Sequence, residues 1–175
     1  MSPVGKVFVS RVIRAARLES AVYEEVESDR SAMGQSVAVI FLAGVATGIA
    51  AILMGDFVGL LNAVLLSLMA WLLCGLAAWI VGTRVLAEAQ TDANFTEVLR
   101  VTGFSSAPGL LRVFGVTPRL GELVFVVTGV WMLVAMVVAI RQTLDYRSTW
   151  RALVVAIIAW AFLVSVSLLP LAFDS

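Results

Sequence analysis

NFTEVLRVTGFSSAPGLLRVFGV, residues 94–116, decides how this chain is built. The stretch has 23 residues, enough to cross a bilayer, whose hydrocarbon core takes about 20 residues of helix. Yet it carries two arginines (Arg100 and Arg112), three glycines and a central proline, and the apolar stretches around it read as plainer membrane helix. Asn94 with Glu97 three positions on is a capping box, so a helix starts at Phe95 and runs through Val98, Leu99 and Val101. Across residues 103–109 the helix should break or kink, because Pro108 lacks an N–H and its ring clashes with the preceding turn. A second half, residues 110–116, then resumes. Thr117-Pro118 opens the next helix, with Thr at the N-cap and Pro at the first helical position.

Outward from this stretch the chain is apolar. It is 61% hydrophobic and 14% charged over 175 residues, where a soluble domain has about 45–50% and about 25%. The excess is gathered into long runs, the mark of membrane helices. Four clear spans are predicted at 34–54, 58–82, 120–140 and 151–171, with 95–116 as a Pro-interrupted fifth. The fold class is therefore all-α, a polytopic membrane bundle (34–171) preceded by an amphipathic, cytosolic segment (1–33). Gly44-x-x-x-Gly48 in the first span permits close helix approach. In the second, Ala70, Cys74, Ala78 and Gly82 recur every four residues as a stripe on which another helix can pack. Trp79 sits near a span end, whereas Trp71, Trp131 and Trp160 lie deeper and each needs either a partner for its N–H or a thinner local bilayer.

Whether residues 94–116 cross is decided by loop charge. With five spans, the N-terminal segment and the loops 83–93 and 141–151 share one side and carry nine basic residues. The other side has two three-residue turns and a short tail, with only Arg119. With four spans the division is nine against three. The positive-inside bias favours five, with the N-terminus cytoplasmic and the C-terminus opposite, in the plasma (inner) membrane of a prokaryote. Arg100 and Arg112, each within two turns of an opposite end, are expected to snorkel outward.

Plotted as one helix at about 100° per residue, Val4, Val7, Phe8, Val12, Ala15, Leu18, Val22 and Val26 share a face. The first half is basic (Lys6, Arg11, Arg14, Arg17) and the second acidic (Glu19, Glu24, Glu25, Glu27, Asp29). The pattern fits a basic helix lying on anionic headgroups, with these four cations as contacts, followed by an acidic turn that lifts away, or a cytosolic helix packed on the bundle. Lys6 is followed by a mixed segment rather than the apolar run of a secretory signal.

The residues that carry most chemistry are missing. The chain has no histidine, hence neither the commonest general base nor the commonest metal ligand. Its one cysteine, Cys74, lies in an apolar run. A net charge of zero gives no field for nucleic acid. Gly103-Phe104-Ser105-Ser106-Ala107 has a superficial likeness to a nucleophile elbow, but no strand precedes it and no imidazole serves it. Asp56 and Glu122 lie at span ends, unsuited to intramembrane aspartyl chemistry. No cofactor or metal is expected, and no enzyme. Two function classes remain. One is a membrane scaffold or assembly factor that meets lipids, other membrane proteins or its own copies. The other is a small transporter or lipid-translocating element that uses the broken helix. In either, Arg100, Gly103, Phe104, Ser105, Ser106, Pro108 and Arg112 form the candidate seam. Carbonyls freed near Phe104 would be met by the Ser105 and Ser106 hydroxyls, a water or Asn62.

The run from Phe95 to Leu111, with its Gly103-Phe104-x-x-x-Pro108 core, resembles the Yip family of Ypt/Rab-interacting membrane proteins. Val22-Tyr23-Glu24-Glu25-Val26, the span from Gly121 to Arg141 and Trp150-Arg151-Ala152 are similar to its prokaryotic branch. The resemblance covers roughly residues 20–170. It implies five membrane helices with a cytosolic N-terminus and, in eukaryotic members, Rab-GTPase binding, vesicle traffic and organelle shape. Those members carry a long cytosolic N-terminal region, against the 33 residues here, so for this chain the resemblance implies a fold more than a partner.

Overall fold

A computed structural model describes residues 3–173, with side chains described at 4–117 and 120–162. The described residues form helices joined by short connections: α1 (Pro3–Ala16), α2 (Ser20–Ser28), α3 (Ala32–Leu53), α4 (Phe57–Ile80), α5 (Phe95–Ser105), α6 (Pro118–Thr143) and α7 (Thr149–Phe173). A π-helical turn, Val81–Val85, extends α4, and a 3-10 helix, Ala107–Phe114, follows α5. Ala32–Leu53, Phe57–Val85 and Leu120–Thr143 are each long and apolar enough to cross a membrane, and residues Thr149–Phe162 of α7 form a shorter apolar helix.

The N-terminal residues form two helices packed on the bundle, and the acidic residues expected in a turn that lifts away lie largely in the second of them, α2. Leu18 takes a left-handed backbone (φ 63°), and the chain folds back there from α1 into α2. The apolar face serves both halves of this cap: Ala15, Val22, Tyr23 and Val26 are fully buried in one cluster with Val39, Val101, Phe104 and Ala139 of the bundle. The charges that seemed to divide into a basic and an acidic half meet each other instead. Arg11, only 6% exposed, pairs with Glu25 and Asp29 (both 2.8 Å) and donates to Gln35 (3.1 Å). Arg14 pairs with Glu25 (2.7 Å) and Glu19 (3.1 Å).

In the bundle, α3 and α4 are joined by residues 54–56, where Gly55 has φ 78° and the Asp56 carboxylate accepts the Gly59 amide (2.8 Å). The two helices lie close because Gly44 and Gly48 have no side chain. A Cβ at Gly44 would come within 2.8 Å of Val64 Cα, and one at Gly48 within 3.0 Å of Leu60 Cα. Cys74 and Ala78 pack with Ala152, Val155, Ala156 and Ala159 of α7, small residues facing small residues.

One end of the bundle gathers three pieces of chain. The Tyr146 hydroxyl donates to Gly82 O (2.7 Å) and Thr91 to Leu144 O (3.0 Å), while Arg151 pairs with Glu88 (3.5 Å). The α4–α5 and α6–α7 connections are thus side by side. The α1–α2 cap joins them through Gln142, whose amide donates to Glu24 (2.5 Å). From this end α5 and the 3-10 helix carry the chain to the start of α6.

Candidate functional site

The central segment opens with reciprocal bonds. Asn94 Oδ1 accepts the Glu97 amide (3.0 Å), and Glu97 Oε2 accepts the Asn94 amide (2.9 Å), so two orphan donors are met at once. Residues 98–105 are then buried throughout, enclosed by the cap and by α3, α4 and α6. Gly103 lies against α3, where an added Cβ would come within 2.5 Å of the Ser36 Cβ. Two neighbouring helices tie the backbone down: Ser36 donates to Arg100 O (2.8 Å) and Trp71 Nε1 to Leu99 O (3.0 Å).

Arg100, 5% exposed, turns out of the segment toward the cap. Its Nε donates to Val26 O (3.2 Å) and its Nη2 to Glu27 O. These are terminal carbonyls of α2, where the helix dipole also favours a cation. The guanidinium thus acts as a C-terminal clasp on α2. Beside it the Glu27 carboxyl is pushed up to about 7, chiefly by burial and further by Glu97 and Asp145, against the opposing pull of Thr143 and Arg100. Glu24, Glu27, Glu97 and Asp145 line one recess of about 290 Å3 at the surface of the cap. Glu25 shows the opposite effect. Hydrogen bonds from Arg11 and Arg14 hold it below the usual carboxylate range.

At Pro108 the ladder changes from α to 3-10, with the Gly109 amide bonded to Ser106 O (2.8 Å). The Ser105 and Ser106 hydroxyls turn back onto Thr102 O (2.8 and 3.4 Å) rather than forward to the break. Asn62 is exposed on α4 and meets no carbonyl of this segment. The donors that do reach the segment from neighbouring helices, Ser36 and Trp71, serve carbonyls before Gly103.

The change of ladder swings Arg112 inward. It does not snorkel to the far end. Its Nε donates to Thr128 (3.2 Å), its Nη1 to Thr47 (3.3 Å), and its guanidinium carbon stands 4.3 Å from the centroid of the Phe125 ring. Arg112, Ser105 and Ser106 line a cavity of about 350 Å3 among α3, α4, α6 and α7, with Trp71, Met132 and Trp160 in its apolar walls. The residues of the candidate seam therefore fall on two faces. Ser105, Ser106 and Arg112 reach the cavity; Arg100 and Phe104 are packed against the cap, Gly103 against α3, and Pro108 is buried between.

The remaining residues singled out by sequence divide likewise. Ala70 and Cys74 line the cavity, the Cys74 thiol also reaching Ala159 O (3.6 Å), while Gly82 faces Leu144 and Tyr146. Of the four N-terminal cations, Lys6 and Arg17 are in no ion pair among the described residues, whereas Arg11 and Arg14 are occupied by carboxylates. Thr47, Thr128 and Phe125, the surroundings of Arg112, were not singled out. An arginine turned into a helical bundle calls for acceptors on neighbouring helices, and the hydroxyls within the apolar runs were the available signal.

All-α architecture with three helices fit to cross a membrane defines an integral membrane protein. Residues 19–169 match the family model of the Yip1 domain, and the chain belongs to that family. Neither the curated proteins nor the solved structures gave a match.

Proposed function

We propose that this protein is a non-enzymatic membrane scaffold, a five-span bundle that holds a cytosolic cap firmly against the bilayer for assembly with other membrane proteins or its own copies. The observation that carries this reading is the fastening of the cap. Arg100 clasps the end of α2, Trp131 Nε1 donates to Ala16 O (2.9 Å) at the end of α1, and Gln142 bonds Glu24. A partner held on such a cap is held at fixed height and angle to the spans. The apolar side chains that stay exposed along α4, among them Leu65, Met69 and Leu72, supply a face for lipid or for another membrane helix.

The same end of the bundle supports the topology. Cap, α4–α5 connection and α6–α7 connection lie together, which supports a single crossing by α5 and the 3-10 helix. Laid end to end these two are about 32 Å long, close to the hydrocarbon thickness of about 30 Å. The nine basic residues at that end support a cytoplasmic cap and a plasma-membrane location.

The scaffold reading is tested by reconstitution and crosslinking together. Proteoliposomes of the purified protein should show no lipid scrambling and no solute flux. A photo-crosslinker at Met69 or Leu72, used in cells, should give protein adducts of discrete mass. Scrambling or flux, or adducts with lipid alone, would replace the scaffold with a translocating element.

A further inference from the structure

The cavity beside Arg112 is mostly apolar, and Arg112 is the one charged side chain in its lining. Its hydroxyls turn to carbonyls of their own helices: Ser67 to Ala63 O, Thr102 to Val98 O and Ser105 to Thr102 O, each at 2.8 Å, and Ser106 to Thr102 O at 3.4 Å. The Arg112 guanidinium is different. Nε and Nη1 are taken by Thr128 and Thr47, but among the described residues Nη2 has no partner and no carboxylate is in ion-pair range. An arginine keeps its charge in any protein environment, and its planar fork matches an oxyanion. Two neutral hydroxyls and the face of Phe125 solvate this cation without neutralising it.

The remaining walls say what kind of anion fits. A bare inorganic ion would occupy the corner at Arg112 and leave the volume between Trp71, Met132 and Trp160 empty. The cavity falls within the roughly 300–1,000 Å3 of small-molecule sites, and its wall at α6 is open, since a Cβ added to Gly129 would meet nothing within 4 Å. We propose that this cavity binds an anionic lipid, a phosphate or carboxylate oxygen on Arg112 Nη2 and an acyl chain against Trp71, Met132 and Trp160. This site is independent of the scaffold reading, because a bound lipid neither requires nor forbids partners at the cap.

The test uses the tryptophans in the cavity wall as reporters. Full-length protein in phosphatidylcholine nanodiscs is given increasing fractions of phosphatidylglycerol with brominated acyl chains, and separately of brominated phosphatidylcholine. Tryptophan quenching should saturate at about tenfold lower mole fraction for the anionic lipid, and Arg112→Gln should remove that preference. Gly129→Leu, which fills the open wall, should remove the saturable quenching for both lipids. Equal quenching by the two lipids in the unaltered protein would overturn the proposal. So would displacement of the brominated lipid by inorganic phosphate alone, which would assign the corner to a free anion. Should Arg112→Gln not fold, the two-lipid comparison and Gly129→Leu decide the matter.

Discussion

Arg100 and Glu27 meet at the junction of cap and bundle, and each makes a separate demand on stability. Arg100 supplies charged donors to two carbonyls that no amide can reach. Arg100→Leu removes them and leaves Val26 O and Glu27 O without their donor. At about 1.5–3 kcal/mol for a hydrogen bond to a charged group, the cap should loosen before the bundle melts. Limited proteolysis should then cut within residues 17–30 of the variant at a protease dose that spares the parent. Glu27 depends on pH. Its folded value of about 7 lies above the ordinary 4.5, so between these values the folded state holds the proton more tightly than the unfolded. Stability from this group is thus full below about 4.5 and is lost as pH rises through 7. The carboxyl is half exposed, so solvent screening reduces the loss to on the order of 1 kcal/mol. Melting in detergent should fall between pH 5 and pH 8, and Glu27→Gln should flatten that slope. A slope unchanged in the variant would assign the pH dependence to another group.

Among elements, the α3–α4 pair and the broken segment rest on different constraints. Gly44 faces the backbone of α4, which has no rotamer to yield, so Gly44→Ala should cost about 1–3 kcal/mol. Gly34 has open space around it, and Gly34→Ala in the same helix should be neutral or stabilise by up to about 1 kcal/mol. Parallel thermal melts of the two variants check the contrast. In the broken segment, Pro108→Ala permits an α-ladder to continue. The 3-10 helix turns about 120° per residue and the α-helix about 100°, so five steps from Ala107 to Arg112 would rotate that side chain by about 100° away from Thr128. The variant should lose its preference for anionic lipid while melting close to the parent. Retained preference would show that Pro108 does not set the direction of Arg112. The capping box and the proline were legible in the sequence because both act within a few residues of chain. The turn of Arg100 to the cap and of Arg112 to the cavity was not. It depends on a 3-10 stretch whose periodicity hydropathy does not reveal, and on carbonyls of α2 that no local pattern brings near.

For the whole molecule, long apolar runs announced the spans, since each 20-residue run can hide its backbone only as helix. The second helix of the cap was not legible, because its acidic residues read as a turn; only Leu18, in a left-handed backbone that a leucine rarely adopts, marks the elbow. The ion pairs of Arg11 and Arg14 were missed for the same reason: without a second helix to bring Glu25 and Asp29 back, headgroups were the partners in reach. The arrangement of ends predicts that reporters fused at the N-terminus and in residues 86–92 read the same compartment, and one inserted at 115–117 the opposite compartment. A common compartment for all three would restore four spans. Arg119 and Ser175, which entered the charge count and the fate of the C-terminus, lie outside the described side chains. In the proposed five-span arrangement the two connections away from the cap, 54–56 and 115–117, are three residues each, too brief to thread the cleft of a protease. Digestion of sealed vesicles should therefore shave the molecule where the cap is reachable, whereas protease on the opposite face should leave both of these connections whole.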